Sequence, residues 1–113
     1  MKMIQAIIRR EKLEVVKQAL DAIGCPGLMA WEIVGHGKQK GITEQFRGRE
    51  FRVDLLPKTK IEIVAHDRQV KTIIDAISKV ANTNQIGDGK IFVLGVEDAI
   101  RIRTGERGDS VID

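Results

Sequence analysis

The stretch KIEIVAHDRQVKTIIDAISKVA, residues 60–81, decides the fold because it joins a strand pattern directly to a helix pattern. Residues 60–65 are rich in β-branched side chains, with Glu62 as a charged interruption. An apolar stripe at helical spacing follows, formed by Val70, Ile73, Ile74, Ile77 and Val80. Residues 91–96 are apolar again. This half of the chain therefore predicts a strand, a helix and a second strand.

The first half repeats this scheme. Residues 3–8 form a β-prone run, and residues 28–34 form another extended segment. Between them lies an apolar stripe at helical spacing, formed by Leu13, Val16, Leu20 and Ile23. Two such units, each with one crossover helix, predict an α+β fold: a ferredoxin-like βαββαβ sandwich with an antiparallel four-stranded sheet and both helices on one face.

The other face of that sheet would carry apolar side chains that need cover. They are Ile4, Ile63 and Val93, or their alternating neighbours. Self-association is the simplest way to bury such a face, and it would also help a chain of 113 residues, which can build only a modest core. We therefore expect a single domain, residues 1–113, that forms an oligomer.

The composition is that of a globular protein, with 42% hydrophobic and 31% charged residues. The apolar runs are too short to span a membrane, and the chain opens on a strand pattern rather than a signal peptide, which predicts a cytoplasmic protein. A formal net charge of +3 indicates anionic partners, which could be nucleic acid, membrane headgroups or phosphate-bearing metabolites.

Between the two units lies a long connection, residues 37–55, that is rich in glycine and charge. Connections of more than about 12 to 15 residues are uncommon in compact domains and are usually functional or disordered. We expect an exposed functional loop here. The alternative is that part of it forms a hairpin that extends the flanking strands.

The strongest local signal for a ligand is the segment from Thr83 to Lys90, which contains Gly87-Asp88-Gly89-Lys90. Glycines let backbone amides approach an anion, and the lysine adds charge for a phosphate. The same residues are also common in plain turns, so both readings stay open.

Two further segments favour anions. Alternation in an extended stretch from Ile100 to Arg103 would point Arg101 and Arg103 to one side while the isoleucines pack on the other. The alternative is a solvated charged edge. Residues 35–41 combine three glycines with two lysines, and Lys58 can point back towards them. Gln39 could offer an oxygen to Mg²⁺ if substrate phosphates completed the coordination.

The sequence offers no catalytic centre. Cys25 reads as a core residue near a turn, and His36 and His66 have no recognisable partners; we expect His66 at the surface. Asp88 and Glu62 could accept hydrogen bonds from a ribose or a purine, but nothing marks them as an acid–base pair. Binding therefore fits better than catalysis.

Several separated motifs together resemble the PII nitrogen-regulatory signalling family over essentially the whole chain. They are Gly37-Lys38-Gln39-Lys40-Gly41, Arg47-Gly48, Leu56-Pro57-Lys58 with Lys60-Ile61-Glu62, residues 83–93, and residues 100–106. The resemblance implies a homotrimer with nucleotide sites between subunits, where ATP and ADP compete. It names residues 37–55 as the family's T-loop, residues 82–90 as its phosphate-binding loop and residues 101–113 as its C-terminal loop.

The resemblance also implies the ligand contacts. The nucleotide residues are Ile7, Gly35, His36, Gly37, Lys38, Gln39, Glu62, Ile63, Val64, Gly87, Asp88, Gly89, Lys90, Arg101 and Arg103, with the two arginines reaching in from a neighbouring subunit. The 2-oxoglutarate residues are Gln39, Lys40, Gly41, Lys58 and Gly87, and Gln39 binds the Mg²⁺ that is shared with ATP. Arg47, at the tip of the T-loop, matches an arginine that enters and blocks an ammonium transporter, so contact with the membrane would occur only through that partner. The alternative target is an enzyme of nitrogen assimilation such as glutamine synthetase.

The chain departs from the family pattern at six positions, two of which are Asn84 and Gln85 in the phosphate-binding loop. Phe51 replaces a tyrosine that is nucleotidylated in many relatives, and Arg49 replaces a serine that is phosphorylated in some, so we expect no covalent switch. Met29 and His36 replace a threonine and a phenylalanine near the nucleotide, which leaves the preference between ATP and ADP open.

Two other functional classes fit less well. An RNA-binding domain of the same strand order would need exposed aromatic residues on its central strands, and the chain has no tyrosine and only three phenylalanines besides Trp31. We therefore expect no nucleic acid partner. The second class is a slow ATPase, or else a metal-tolerance protein of similar trimeric fold. No general base for ATP hydrolysis is identifiable in the sequence.

Overall fold

Six strands and two α-helices make up the chain over the residues that the computed structural model describes, which are 1–36, 43–46, 49–52 and 55–112. The strands are β1 (Lys2–Arg9), β2 (Met29–His36), β3 (Thr43–Phe46), β4 (Arg49–Arg52), β5 (Leu55–Ala65) and β6 (Lys90–Gly95). The helices are α1 (Leu13–Ala22) and α2 (Val70–Ala81). Short 3-10 turns cover Arg10–Lys12, Asp67–Gln69 and Asp109–Ile112.

The main sheet has the order β2-β5-β1-β6, and all neighbouring strands in it are antiparallel. Alternation within the central strands decides which face is covered. Ile4 on β1 opposes Ile63 on β5, and both are almost fully buried. The helices contribute Val16 and Ile77 to the same hydrophobic cluster. The predicted ferredoxin-like sandwich with both helices on one face is therefore confirmed.

The opposite face of the sheet has no helix over it among the described elements. Because Ile4 and Ile63 lie under the helices, their alternating neighbours occupy this open face, as in the Met3–Val64 pair. Phe92 and Leu94 on β6 are 49% and 43% exposed in the single chain. The open face is thus partly apolar, as a face that packs against another copy would be.

β5 begins at Leu55, although the β-branched pattern begins only at Lys60. Pairing with β1 stops at Lys58, whereas Pro57 still opposes Val34 of β2. A proline has no amide hydrogen to donate to a neighbouring strand, so it is tolerated where the strand has a neighbour on one side only. The extra residues carry β5 towards the long connection.

Part of the long connection is a hairpin. β3 and β4 pair with each other, from Thr43 opposite Arg52 to Phe46 opposite Arg49, and they form a sheet of their own. The alternative holds only in part, because residues 43–46 and 49–52 pair with each other but do not extend the strands of the main sheet.

His66 is not at the surface, contrary to expectation, since only 7% of it is exposed. The Asp67–Gln69 turn folds the chain back at this corner, and the His66 amide donates to the Gln69 Oε1 at 3.1 Å. The corner therefore closes over the end of the core. Cys25, as expected, packs against the core and is partly buried.

Candidate functional site

The loop expected to bind phosphates, residues 82–90 and called the phosphate loop for that expectation, joins α2 to β6 and takes its shape from two glycines. Gly87 and Gly89 have φ angles of +106° and +100°, which only glycine adopts readily. A Cβ atom at Gly89 would lie 1.7 Å from the Ile7 carbonyl oxygen. The loop backbone therefore packs directly on β1, so closely that residue 89 has no room for a side chain.

Asp88 holds the loop closed from within. Its carboxylate accepts the Thr83 backbone amide at 2.7 Å and also accepts the Thr83 hydroxyl. The Thr83 hydroxyl, the Thr83 amide and then the Arg9 guanidinium hold the pKa of Asp88 well below its usual range. This carboxylate, expected to face a nucleotide, is thus engaged by the loop itself.

Arg9, which the sequence analysis did not single out, is a central residue of the site. Its Nε donates to the Asp88 Oδ1 at 3.0 Å and its Nη2 donates to the Ile86 carbonyl at 3.0 Å. Its side chain is only 18% exposed. In the sequence it is one of two adjacent arginines after an apolar strand, a pattern that reads as solvated charge, and only the fold brings it to the loop.

Lys58 and Gly87 were both expected at a 2-oxoglutarate site, and the structure brings them together. The Lys58 Nζ donates to the Gly87 carbonyl, and Lys58 opposes Arg9 across β1 and β5. Partial burial, and then the charge of Arg9, lower the pKa of Lys58. Two half-buried cations side by side can bind an anion such as a carboxylate or a phosphate.

Several residues expected to contact the nucleotide lie on neighbouring strands. Ile7 opposes Lys90 of β6 on one side and Lys60 of β5 on the other. Glu62 points to the open face, where its carboxylate lies 3.2 Å from the Lys60 ammonium. Ile63 is buried under the helices, so only its backbone can contact a ligand.

Other expected positions lie around this centre. Val64 is half-buried on the open face opposite Met3. Gly35 on β2 passes close to Lys58, since a Cβ there would lie 3.2 Å from the Lys58 Cγ. An open cavity of about 350 Å³ adjoins Lys90, between α2 and the loop. Most of the residues that line this cavity are aliphatic, and Asp88 and Lys90 are its charged residues.

The C-terminal arginines differ from expectation. Residues 102–104 form a turn rather than an extended strand, because the Gly105 amide donates back to the Arg101 carbonyl at 2.8 Å. Ile100 and Ile102 are 52% and 100% exposed, so they do not pack beneath the arginines. Within the described part of the chain, no hydrogen bond or ion pair joins Arg101 or Arg103 to the phosphate loop.

The remaining expected residues cannot be placed. His36 ends β2, but its side chain is not among those described. Gly37, Lys38, Gln39, Lys40, Gly41 and Arg47 lie outside the described residues. The positions expected for Mg²⁺ and for the transporter therefore remain predictions.

Two features are absent from the described residues. No group of three or more histidine, cysteine, aspartate or glutamate side chains there could hold a metal ion. Nor does this part of the chain contain a helix of the length and apolarity that a membrane crossing requires.

Comparison with known proteins gives one consistent result. The family model described as "Nitrogen regulatory protein P-II" matches residues 1–106. "Nitrogen regulatory protein P-II 2" of Methanothermobacter thermautotrophicus is 58% identical over 99% of this chain and 97% of its own length. The P-II proteins of Rhodospirillum rubrum and Azospirillum brasilense are 55% and 53% identical, each over 99% of this chain and its own full length. With a matching family model, a matching sheet topology and relatives of this similarity, the chain belongs to the nitrogen regulatory protein P-II family.

Proposed function

We propose that this P-II protein senses ATP and ADP, which compete for the phosphate loop, and that it also binds 2-oxoglutarate together with Mg-ATP. The observation that carries the proposal is the construction of the phosphate loop. Asp88, Thr83 and Arg9 tie it internally, and Gly89 packs on β1. Such a loop is organised before a ligand arrives, so little ordering is needed on binding.

The charges around the loop favour a polyphosphate. Lys90 follows the two glycines directly, and Lys58 lies against the Gly87 carbonyl. We assign the phosphates to Gly87, Gly89 and Lys90, and the ribose and adenine to the neighbourhood of Ile7, Glu62 and Val64. Asp88 acts by shaping the loop.

The second ligand would lie beside the first. In this proposal 2-oxoglutarate places a carboxylate near Lys58 and Gly87, and Gln39, Lys40 and Gly41 complete its site. Gln39 would hold the Mg²⁺, which neutralises charge between the two anions when it is bound. The contact between Lys58 and Gly87 supports this arrangement, because a ligand that displaced it would act directly on the phosphate loop.

Assembly and output complete the proposal. The partly apolar open face suits packing against further copies, in a homotrimer whose neighbouring subunits supply Arg101 and Arg103 to each nucleotide. We propose that the protein works in the cytoplasm and that the T-loop, through Arg47, inhibits an ammonium transporter. Phe51 and Arg49 leave this control to ligands, without covalent modification.

Isothermal titration calorimetry with ATP, ADP and 2-oxoglutarate tests the proposal, with light scattering to establish the trimer. ATP and ADP should compete, and 2-oxoglutarate should bind only when Mg-ATP is present. Lys90→Ala should weaken both nucleotides, whereas the matched control Lys79→Ala, at an exposed position of α2, should not. A wild-type protein that binds neither nucleotide would contradict the proposal.

A further inference from the structure

The Arg101 guanidinium already has an anion beside it. Its Nη1 donates to the Glu106 Oε1 at 2.9 Å, and the Arg101 amide donates to the Glu106 carbonyl at 2.9 Å. The chain folds back over residues 102–105, so that the carboxylate of residue 106 covers part of the guanidinium of residue 101. The turn thus carries its own counter-ion.

The other arginine of the turn, Arg103, differs from Arg101 in its charge pairing. Within the described residues no acidic side chain pairs with Arg103, which is exposed. At the base of the turn, Arg107 donates twice to the Asp98 Oδ2, at 2.9 and 2.6 Å, and Ile100 forms a bridge with Arg107. A second ion pair therefore closes the segment. Of the two arginines expected to bind phosphate, Arg101 is partly neutralised by Glu106, whereas Arg103 has no acidic partner among the described residues.

A phosphate that approached Arg101 would meet a guanidinium already partly neutralised. We propose that Glu106 is a built-in competing anion, which a bound polyphosphate must displace from Arg101 and which thereby lowers nucleotide affinity, more for ATP than for ADP. This inference rests on the proposed function, because it assumes that Arg101 contacts the phosphates.

The contact is suited to displacement. The Arg101 and Glu106 side chains are 35% and 46% exposed, and Glu106 meets only one of the guanidinium nitrogens. An exposed pair of this kind is weak, so a ligand with several negative charges can replace it at little cost.

The carboxylate is not what holds the turn together. Two backbone hydrogen bonds, Arg101 amide to Glu106 carbonyl and Gly105 amide to Arg101 carbonyl, close the turn without it. Glutamine at position 106 preserves both bonds and the shape of the side chain while it removes the charge. Glu106→Gln should therefore keep the fold and free the Arg101 charge.

Calorimetry of the full chain with ATP, ADP and inorganic tripolyphosphate, at one ionic strength, tests the inference. Glu106→Gln should bind ATP up to about fivefold more tightly than wild type, with a smaller gain for ADP. Glu97→Gln removes the same charge at an exposed position earlier in this segment and should bind as wild type does. Tripolyphosphate should follow ATP, which would place the effect at the phosphates.

The possible failures are distinct. Unchanged or weaker ATP binding by Glu106→Gln, with wild-type melting behaviour, would overturn the inference alone, because Glu106 would then orient Arg101 or have no part in binding. An equal gain in Glu97→Gln would also overturn it, since the effect would be one of net charge. A wild-type protein that binds neither nucleotide nor tripolyphosphate would remove the proposed function, and this inference with it.

Discussion

Arg9 and Asp88 lie 79 residues apart in the sequence, yet the Arg9 Nε is 3.0 Å from the Asp88 Oδ1. The pairing of β1 with β6 sets Ile7 opposite Lys90. It thereby brings the end of β1 against the loop that precedes β6. One of the two central strands of the sheet, β1, thus supplies the residue that braces the phosphate loop.

Arg9→Met should weaken ATP binding by roughly tenfold, because the phosphate loop would lose two hydrogen bonds from the guanidinium and would have to be ordered by the ligand. Calorimetry measures this loss. Arg10→Met removes the same charge at the adjacent exposed position and should leave ATP binding unchanged.

Equal losses in the two variants would show that Arg9 acts only through overall charge. A normal affinity in Arg9→Met would show that the loop does not need this support.

Gly89→Ala should destabilise the protein by at least about 2 kcal/mol, because the residue has a φ of +100° and its new Cβ would lie 1.7 Å from the Ile7 carbonyl oxygen. Either β1 or the loop must move. Chemical denaturation at fixed protein concentration measures the change in the free energy of unfolding.

The matched control is Gly27→Ala, where nothing lies within 4 Å of the added Cβ and φ is not positive. We expect its stability to stay within about 0.5 kcal/mol of wild type. Wild-type stability in Gly89→Ala would contradict the close approach of loop and strand.

Acid should release the internal ties of the phosphate loop. Because the pKa of Asp88 is depressed in the folded chain, its contribution to stability is complete above the unfolded value of about 3.9 and is lost as the pH falls towards the folded pKa. The difference in unfolding free energy between wild type and Asp88→Asn should therefore be constant above about pH 5 and should shrink below about pH 4. A difference that stayed constant down to pH 3 would mean that this carboxylate is not stabilised by folding.

The strands and helices were largely predictable because the residues that each element buries recur with the period of that element. The stripe from Val70 to Val80 corresponds to α2, and the repeat of strand, helix and strand predicted the antiparallel four-stranded sheet. The start of β5 was missed because Pro57 resembles a loop residue, and its place depends on where β1 ends.

The site was predictable only in part. The glycines of Gly87-Asp88-Gly89 predicted a tight loop here, since glycine has local reasons for such positions, whereas phosphate binding by this loop stays a prediction. Arg9 was missed because its partner is set by sheet register, which one strand does not reveal. The turn at Arg101 was missed because the alternation of residues 100–103 imitates a strand, whereas Gly105, with φ at +74°, lets the chain reverse.

Substitutions at Thr59 should change the free energy of unfolding in opposite directions. It is 1% exposed, and its hydroxyl has no hydrogen-bond partner within the part of the chain that the structure describes. Thr59→Val keeps the β-branched shape that suits a strand and removes a buried polar group that is unpaired, so it should raise the free energy of unfolding by about 1 kcal/mol. Thr59→Ser keeps the hydroxyl but loses a buried methyl group, and it should lower that free energy by a similar amount, about 1 kcal/mol.

Denaturant midpoints of the three proteins at equal concentration measure both changes. Loss of stability in Thr59→Val would reveal a partner for the hydroxyl, such as a bound water, and would mean that the underside of β5 is more polar than its neighbours Ile61 and Ile63 indicate.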